Sequence, residues 1–168
     1  MLMNKINILA IEANQNSLVY TSFNKIDYRD AFKIKYIKNT FQNIDEYAKV
    51  YFLSQPTWLR LISMNTISKQ KIIESVNQSN FQIDLNIGSW KIFTRNDKEI
   101  VFGDSMGFLD YRFSMRLDKT QTDDIEVSTV IKLNGFMGKY YFAGVRLMHT
   151  KFVIISLQNV FNSINQDL

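Results

Sequence analysis

The sequence contains no cysteine, which excludes disulfide bonds, thiolate metal sites and cysteine nucleophiles. Its one histidine is His149, so a zinc site built from several histidines is excluded as well. Residues 135–139 resemble a phosphate loop, but the spacing differs and Tyr140 replaces the serine or threonine that the motif needs. We therefore expect neither a metal nor a cofactor.

Basic residues outnumber acidic ones only slightly, 20 to 16, which gives a net charge of +4. The basic residues are scattered among acidic ones rather than gathered into one block, so the sequence does not favour nucleic acid as a partner. Hydrophobic residues make up 46% of the chain and charged residues 21%, which excludes a wholly disordered protein. We expect one domain over residues 1–168, with 1–16 as an N-terminal strand or arm.

No apolar run is long and uncharged enough to predict a membrane span. The most apolar window, residues 140–157, carries Arg146, His149 and Lys151 near its middle, where charge would be costly in hydrocarbon. We interpret this window as a core helix. The first ten residues hold a very short apolar run after Lys5 and no small-residue cleavage pattern, so we predict no signal peptide and a cytoplasmic location.

Alternation of apolar and polar residues marks residues 109–117 and 125–133, which predicts two half-buried strands. Residues 90–95 and 99–104 predict a hairpin before them. From about residue 136 to residue 164 there is no proline and there are only two glycines, which indicates one long helix. At 1.5 Å per residue this helix is about 43 Å long, enough to cross a whole sheet.

The first half of the chain is predicted to hold a strand over residues 28–37 and two helices. The first helix covers residues 46–53 and the second runs from Pro56 towards Val76. Residues 17–24 indicate a short helix and 77–86 a loop. Together these elements predict an α+β fold, in which a curved antiparallel sheet wraps on the C-terminal helix and two helices lie between the first strand and the consecutive strands.

Three stretches resemble a family. They are residues 27–32; Gly103 with Leu109, Asp110, Tyr111 and Arg112; and Asn134, Gly138, Tyr141 and His149. In type and spacing they are similar to an uncharacterised family, domain of unknown function 2867, over roughly residues 17–160. The order of elements resembles the helix-grip fold of START domains, polyketide cyclases and plant pollen-allergen relatives, the SRPBCC superfamily. The resemblance implies a single START-like domain and association with a nucleotide-binding reductase.

The sequence departs from this family at residues 105–108. There the resemblance leads us to expect acidic residues and a histidine, but the chain has Ser105, Met106, Gly107 and Phe108. An acid-base role for that histidine therefore cannot be carried over. Residues 103–107 also fit the G-x-S-x-G pattern of serine hydrolases, but an alternating strand follows where that motif needs a helix. We interpret Gly103 and Gly107 as hairpin or bulge glycines.

The inward face of the predicted sheet would also line a cavity beneath the long helix. Ten residues are our candidates for a ligand cavity: Tyr28, Asp30, Phe32, Trp90, Asp110, Tyr111, Arg112, Tyr141, Arg146 and His149. The alternative is structural, with His149 hydrogen-bonded at the core or its rim and Arg146 paired with Asp30 or Asp110. Asp30 likewise has an internal partner or anchors a ligand.

These observations favour a module that binds a small apolar or amphipathic molecule. The first alternative is an enzyme of the cyclase or hydrolase kind that uses acid-base groups in the cavity, and the second is a structural or protein-interaction domain. We predict no catalytic residue, because no credible nucleophile is placed to meet His149.

Overall fold

The computed structural model describes residues 8–12, 14–35, 40–62, 67–119 and 124–166. Within them lie seven strands: β1 Ile8–Ala10, β2 Tyr28–Lys35, β3 Asn86–Ile87, β4 Trp90–Arg95, β5 Glu99–Ser105, β6 Leu109–Asp118 and β7 Asp124–Leu133. The same residues hold four α-helices, which are α1 Ile44–Ser54, α2 Thr57–Ile62, α3 Lys69–Ser79 and α4 Gly135–Gln166, and a 3₁₀ helix over Leu18–Thr21. The chain is therefore of mixed α+β type.

The strands form one antiparallel sheet in the order β1-β2-β7-β6-β5-β4-β3. Strands β4 to β7 follow one another as consecutive hairpins, whereas β2 pairs with β7 across about 100 residues of chain, Tyr28 lying opposite Ile131. Strand β2 thus lies between β7 and β1 in the curved sheet. The predicted strands β6 and β7, the hairpin of β4 and β5, and the long C-terminal helix are confirmed. The prediction that β7 is half-buried is wrong, because residues 124–131 are buried on both faces of the sheet.

One face of the sheet packs against the helices. Phe102 and Met115 from the strands meet Phe52 of α1 and Leu157 of α4 in the main hydrophobic core, and all four are nearly or fully buried. The odd positions of β6 point to this face, as their alternation predicts. The inner face of the sheet therefore contributes most of the core.

The opposite face is covered in part by the segment before β2. Val19 in the 3₁₀ helix is fully buried against Val101 and Val130. The buried carboxylate of Glu99 fixes this segment, since it accepts hydrogen bonds from the Ser17 hydroxyl and, at 3.0 Å, from the Leu18 backbone N–H. The helix predicted over residues 17–24 is only this single 3₁₀ turn.

The prediction of two helices between β2 and the later strands is wrong, because the described residues contain three. The predicted second helix is interrupted at Ser68, whose backbone is extended with φ −60° and ψ 153°. Its side chain accepts a hydrogen bond from the Lys71 N–H, so Ser68 begins α3 as an N-cap. The helix also extends to Ser79, into the predicted loop, and ends at Asn80, which is left-handed with φ 44°.

Strand β2 is confirmed as far as Lys35, and the last two residues of the predicted segment lie outside the described part of the chain. The N-terminal strand is confirmed over Ile8–Ala10. Among the described residues, no helix combines the length and apolar character that crossing a membrane requires.

Candidate functional site

A cavity of about 340 Å³ lies between α4 and the inner face of the sheet. Its wall includes members of the main core, such as Val153, and of a second cluster formed by Leu109, Ile131 and Phe142. Helix α4 takes part in both clusters, through Val153 in the first and Phe142 in the second. The cavity is therefore a space left between two packed clusters.

The helix contributes a periodic set of lining residues. They are Tyr141, Val145, Met148, His149, Phe152 and Ser156, each three or four residues from another member of the set. Because this spacing repeats on one side of an α-helix, the set forms a single stripe facing the sheet. Tyr141 and Met148 are also 37% and 50% exposed, so the cavity opens to the surface along this part of α4.

The sheet contributes inward-facing residues from its two central strands. They are Leu109, Tyr111 and Phe113 of β6 and Val127, Thr129 and Ile131 of β7. Tyr51 and Gln55 of the α1 region, Leu59 of α2, Trp90 of β4 and Met106 of the turn between β5 and β6 also line the cavity. Most of these side chains are aromatic or aliphatic, so the cavity is mainly apolar.

A polar cluster joins α4 to β2 beside the cavity. The imidazole Nε2 of His149 lies 3.1 Å from Oδ2 of Asp30, and the Tyr28 hydroxyl donates to the same oxygen at 2.8 Å. The rings of Tyr28 and His149 stand nearly perpendicular, with centroids 6.0 Å apart. Burial, together with the Asp30 carboxylate, raises the pKa of Tyr28 to about 12, so its hydroxyl stays a donor at neutral pH.

A second pair of polar groups lies in the wall. The indole Nε1 of Trp90 donates to the Tyr111 hydroxyl at 2.9 Å, and burial raises the pKa of that hydroxyl. The side-chain nitrogen of Gln55 donates to the carbonyl oxygens of Tyr51 and Ser156. Its Oε1 is buried and accepts no hydrogen bond from the described residues, which leaves an acceptor in the cavity wall.

The candidate residues divide into three groups. Trp90, Tyr111, Tyr141 and His149 line the cavity. Tyr28 and Asp30 lie behind His149, the first in ring contact with it and the second with Oδ2 3.1 Å from its Nε2. The structure therefore brings six of the ten candidates together around one end of α4.

The other four candidates lie elsewhere. Phe32 is buried in the main core, and Arg146 is exposed with its guanidinium 5.5 Å from the Tyr28 ring centroid rather than paired with Asp30 or Asp110. Asp110 and Arg112 are wrong as cavity residues, because even positions of β6 point to the outer face of the sheet. Their own alternation with Tyr111 already predicts this.

Contacts on the outer face account for the two misplaced residues. The Arg112 guanidinium stacks 3.5 Å from the Phe93 ring centroid and donates to the Asp104 and Tyr111 carbonyl oxygens. Partial burial would raise the pKa of Asp110, but hydrogen bonds from Asn134 and Ser105 outweigh it and the pKa is lowered. Both side chains are therefore satisfied away from the cavity.

Sequence reasoning missed several lining residues. Phe152 and Ser156 could have been found from His149, and Met148 from Tyr141, by helical spacing alone. Gln55 could not, because its place in the wall depends on how α1 ends against α4, which no local pattern encodes.

One family matches the sequence over residues 22–154, which is most of the chain, and it is described as Protein of unknown function (DUF2867). The chain belongs to this family. No curated protein and no solved structure matches it.

The motif residues that resemble the DUF2867 family connect the start of α4 to the β5–β6 turn. The Asn134 side chain donates to the Gly107 carbonyl oxygen and to Asp110, each at 3.0 Å. A Cβ on Gly138 would overlap the Phe108 carbonyl oxygen, so only glycine permits this approach of helix to turn. These residues set where α4 begins over the sheet, and so position the cavity.

The same turn excludes the serine-hydrolase interpretation. Ser105 ends β5 on the outer face, where it bonds Asp110, while His149 faces the inner side of the sheet. Gly107 has φ +80° in the turn to β6. The element that follows the serine is therefore this turn and a strand, and not a helix. Gly103 is a close-approach residue, since a Cβ there would overlap the Tyr111 carbonyl oxygen.

Proposed function

We propose that this DUF2867 protein has a helix-grip fold and binds a small apolar or amphipathic molecule between α4 and the sheet. The observation that carries the proposal is the mainly apolar cavity of about 340 Å³ with a few convergent polar groups. Ligand pockets are commonly about 300–1,000 Å³ and have this composition, so the size suits a small molecule.

The polar groups suggest how a ligand would be oriented. His149 and Thr129 lie in the wall, and Gln55 offers a buried acceptor without a partner among the described residues. A ligand hydroxyl or amide would satisfy Gln55, while aliphatic or aromatic groups would contact Phe113, Phe152 and their neighbours. This favours a molecule with one polar end and an apolar body.

Native mass spectrometry of protein purified from cells tests the proposal. The expected result is a retained small-molecule mass that is lost in Thr129→Phe, whose larger side chain extends into the cavity. Ile83→Phe, at an exposed position outside the wall, is the control and should retain the mass. A fluorescent apolar probe, anilinonaphthalene sulfonate, gives a second measurement, and we expect saturable binding that Thr129→Phe reduces. The proposal is overturned if the wild-type protein carries no bound mass and also shows no such binding of the probe.

The second candidate is an enzyme that uses acid-base groups in the cavity. It is favoured by the 3.1 Å approach of His149 to Asp30, because a carboxylate that holds one imidazole nitrogen leaves the other to exchange protons with a bound molecule. Once the retained molecule is identified, Asp30→Asn and His149→Gln distinguish the two functions. Unchanged affinity with a several-hundred-fold loss of turnover indicates catalysis, and weakened affinity without any turnover in the wild type indicates binding alone.

A further inference from the structure

Helix α4 carries an unusual number of large apolar side chains on its solvent side. Phe136, Met137, Tyr140, Tyr141, Leu147 and Met148 are between 37% and 79% exposed. At 100° per residue these six positions fall within an arc of about 140°, and at 1.5 Å per residue they extend along roughly 20 Å of the helix. They therefore form one continuous apolar strip, here called the α4 strip, and not scattered surface residues.

Cations accompany the α4 strip. Lys151 projects within the same arc, Lys139 and Arg146 lie along one flank, and all three are exposed. No aspartate or glutamate occurs among residues 135–166, the whole of α4. Asp27, whose pKa Lys139 helps to lower, is paired with Lys25 at 2.9 Å. The surface is therefore both apolar and positively charged.

The other flank of the α4 strip is the cavity mouth. Tyr141 and Met148 belong to the strip and also line the cavity, and Val145 and Phe152 continue the wall inward. Whatever covers the strip would thus contact the opening directly.

We propose that the α4 strip docks on the surface of an anionic lipid bilayer. Exposed aromatic and aliphatic side chains would enter the boundary between headgroups and acyl chains, while Lys139, Arg146 and Lys151 would contact anionic headgroups. A second copy of the chain suits the strip less well. A two-fold pairing through this face would gather the cations of both copies into one interface with no acid from α4 to neutralise them.

This docking goes beyond the binding proposal and holds whether or not the cavity carries a ligand. The test is cosedimentation of the full chain with vesicles of equal parts phosphatidylglycerol and phosphatidylcholine, compared with pure phosphatidylcholine vesicles. We expect binding to the anionic vesicles that weakens as salt rises from about 0.1 M to about 1 M, because the Debye length falls from about 10 Å to about 3 Å.

Two double variants separate the apolar and the charged contributions. Tyr140→Ser with Leu147→Ser should weaken vesicle binding by about tenfold or more, whereas Ile83→Ser with Leu85→Ser, exposed apolar positions far from α4 in sequence, should not. Lys139→Gln with Lys151→Gln should weaken it by about fivefold per lysine, with Lys69→Gln and Lys71→Gln on α3 as the control. All four altered α4 side chains are exposed, so thermal unfolding should stay near wild type.

Three results would overturn the proposal. One is no sedimentation with anionic vesicles. Another is equal binding to both vesicle types without dependence on salt. The third is a dimer, seen by analytical ultracentrifugation without lipid, that Tyr140→Ser with Leu147→Ser dissociates, because the strip would then be an interface between copies.

Discussion

His149 on α4 and Asp30 on β2 lie 3.1 Å apart, Nε2 to Oδ2, although they are separated by most of the chain. Both side chains are largely buried, and the Tyr28 hydroxyl donates to the same carboxylate oxygen. The contact ties the N-terminal half of α4 to the strand beside β7 at the edge of the cavity.

Removing the imidazole should therefore affect stability through Asp30. We expect His149→Gln to keep the fold and to lower the free energy of unfolding by about 1 kcal/mol, the scale of one hydrogen bond. Denaturant unfolding of His149→Gln, Asp30→Asn and the double variant gives the coupling between the two residues, expected at about 1 kcal/mol. Lys151→Gln, two residues along the same helix and exposed, is the control. Strictly additive effects would show that the two side chains do not stabilise one another.

Two glycines of α4 provide a matched pair. A Cβ at Gly138 overlaps the Phe108 carbonyl oxygen, whereas a Cβ at Gly144 meets nothing within 4 Å. Gly138→Ala should destabilise by about 1–3 kcal/mol, because helix and turn must separate. Gly144→Ala should stabilise by up to about 1 kcal/mol, because alanine is the better helix former. Thermal unfolding of both variants measures the contrast, and equal effects would mean that α4 is not pinned at the turn.

Glu126 gives a pH dependence with a definite sign. Burial raises its pKa above the ordinary value of 4.5, Glu99 adds to the rise, and Ser128 and Arg116 oppose it. The folded protein thus binds this proton more tightly than the unfolded chain, so stability falls as pH rises from 4.5 through the raised pKa. The cost is fully present only at pH values above the raised pKa.

Glu126→Gln removes that ionisation while its side-chain oxygen can still accept from the Ser128 hydroxyl. We expect the melting temperature to rise by about 2–4 °C at neutral pH, the shift that 1 kcal/mol gives a domain of this size, with little change at pH 4. Glu74→Gln, exposed on α3, controls for the loss of one negative charge. A lower melting temperature at neutral pH than in wild type would mean that the carboxylate stabilises the sheet.

Strand β6 and α4 could be predicted from the sequence because each presents a distinct apolar side to the core. In β6 a shift of one residue would turn its apolar side chains to the outer face, so the alternation is strict. Strand β7 is buried on both faces, and Val130 packs on the outer one. The break at Ser68 was missed because apolar spacing continues on both sides of it, and only the serine as an N-cap indicates a new start.

The candidate site was only partly predictable because its partners are far apart in sequence. The sequence offered Asp30 and Asp110 as acids for the cavity, and the pairing of β2 with β7 brings only Asp30 to the helix face. Asp110 and Arg112 alternate with the cavity residue Tyr111, so strand periodicity applied consistently would have removed both. Thr129 could have been found by its alternation with Val127 and Ile131, whereas Gln55 depends on the packing of α1 against α4, which local sequence does not specify.

The two tryptophans provide a direct probe of the cavity. Trp90 is 7% exposed and lines the wall, whereas Trp58 is 47% exposed and does not. In Trp58→Phe, the emission of Trp90 should be quenched saturably by a brominated fatty acid, because the quencher enters the apolar cavity and contacts the indole. In Trp90→Phe, quenching of Trp58 should increase only in proportion to free quencher.

Adding Thr129→Phe to the Trp58→Phe protein should remove the saturable phase, since the new ring occupies the space beside β7 that the quencher would take. Thermal unfolding of each variant confirms that the fold is retained, and Ile83→Phe in the same background leaves the cavity open and should leave the phase intact. Saturable quenching of Trp58 without any at Trp90 would locate the apolar site outside the cavity, on the surface near α2. Saturable quenching of Trp90 that disappears in Thr129→Phe would instead assign the bound molecule to the space between α4 and β7.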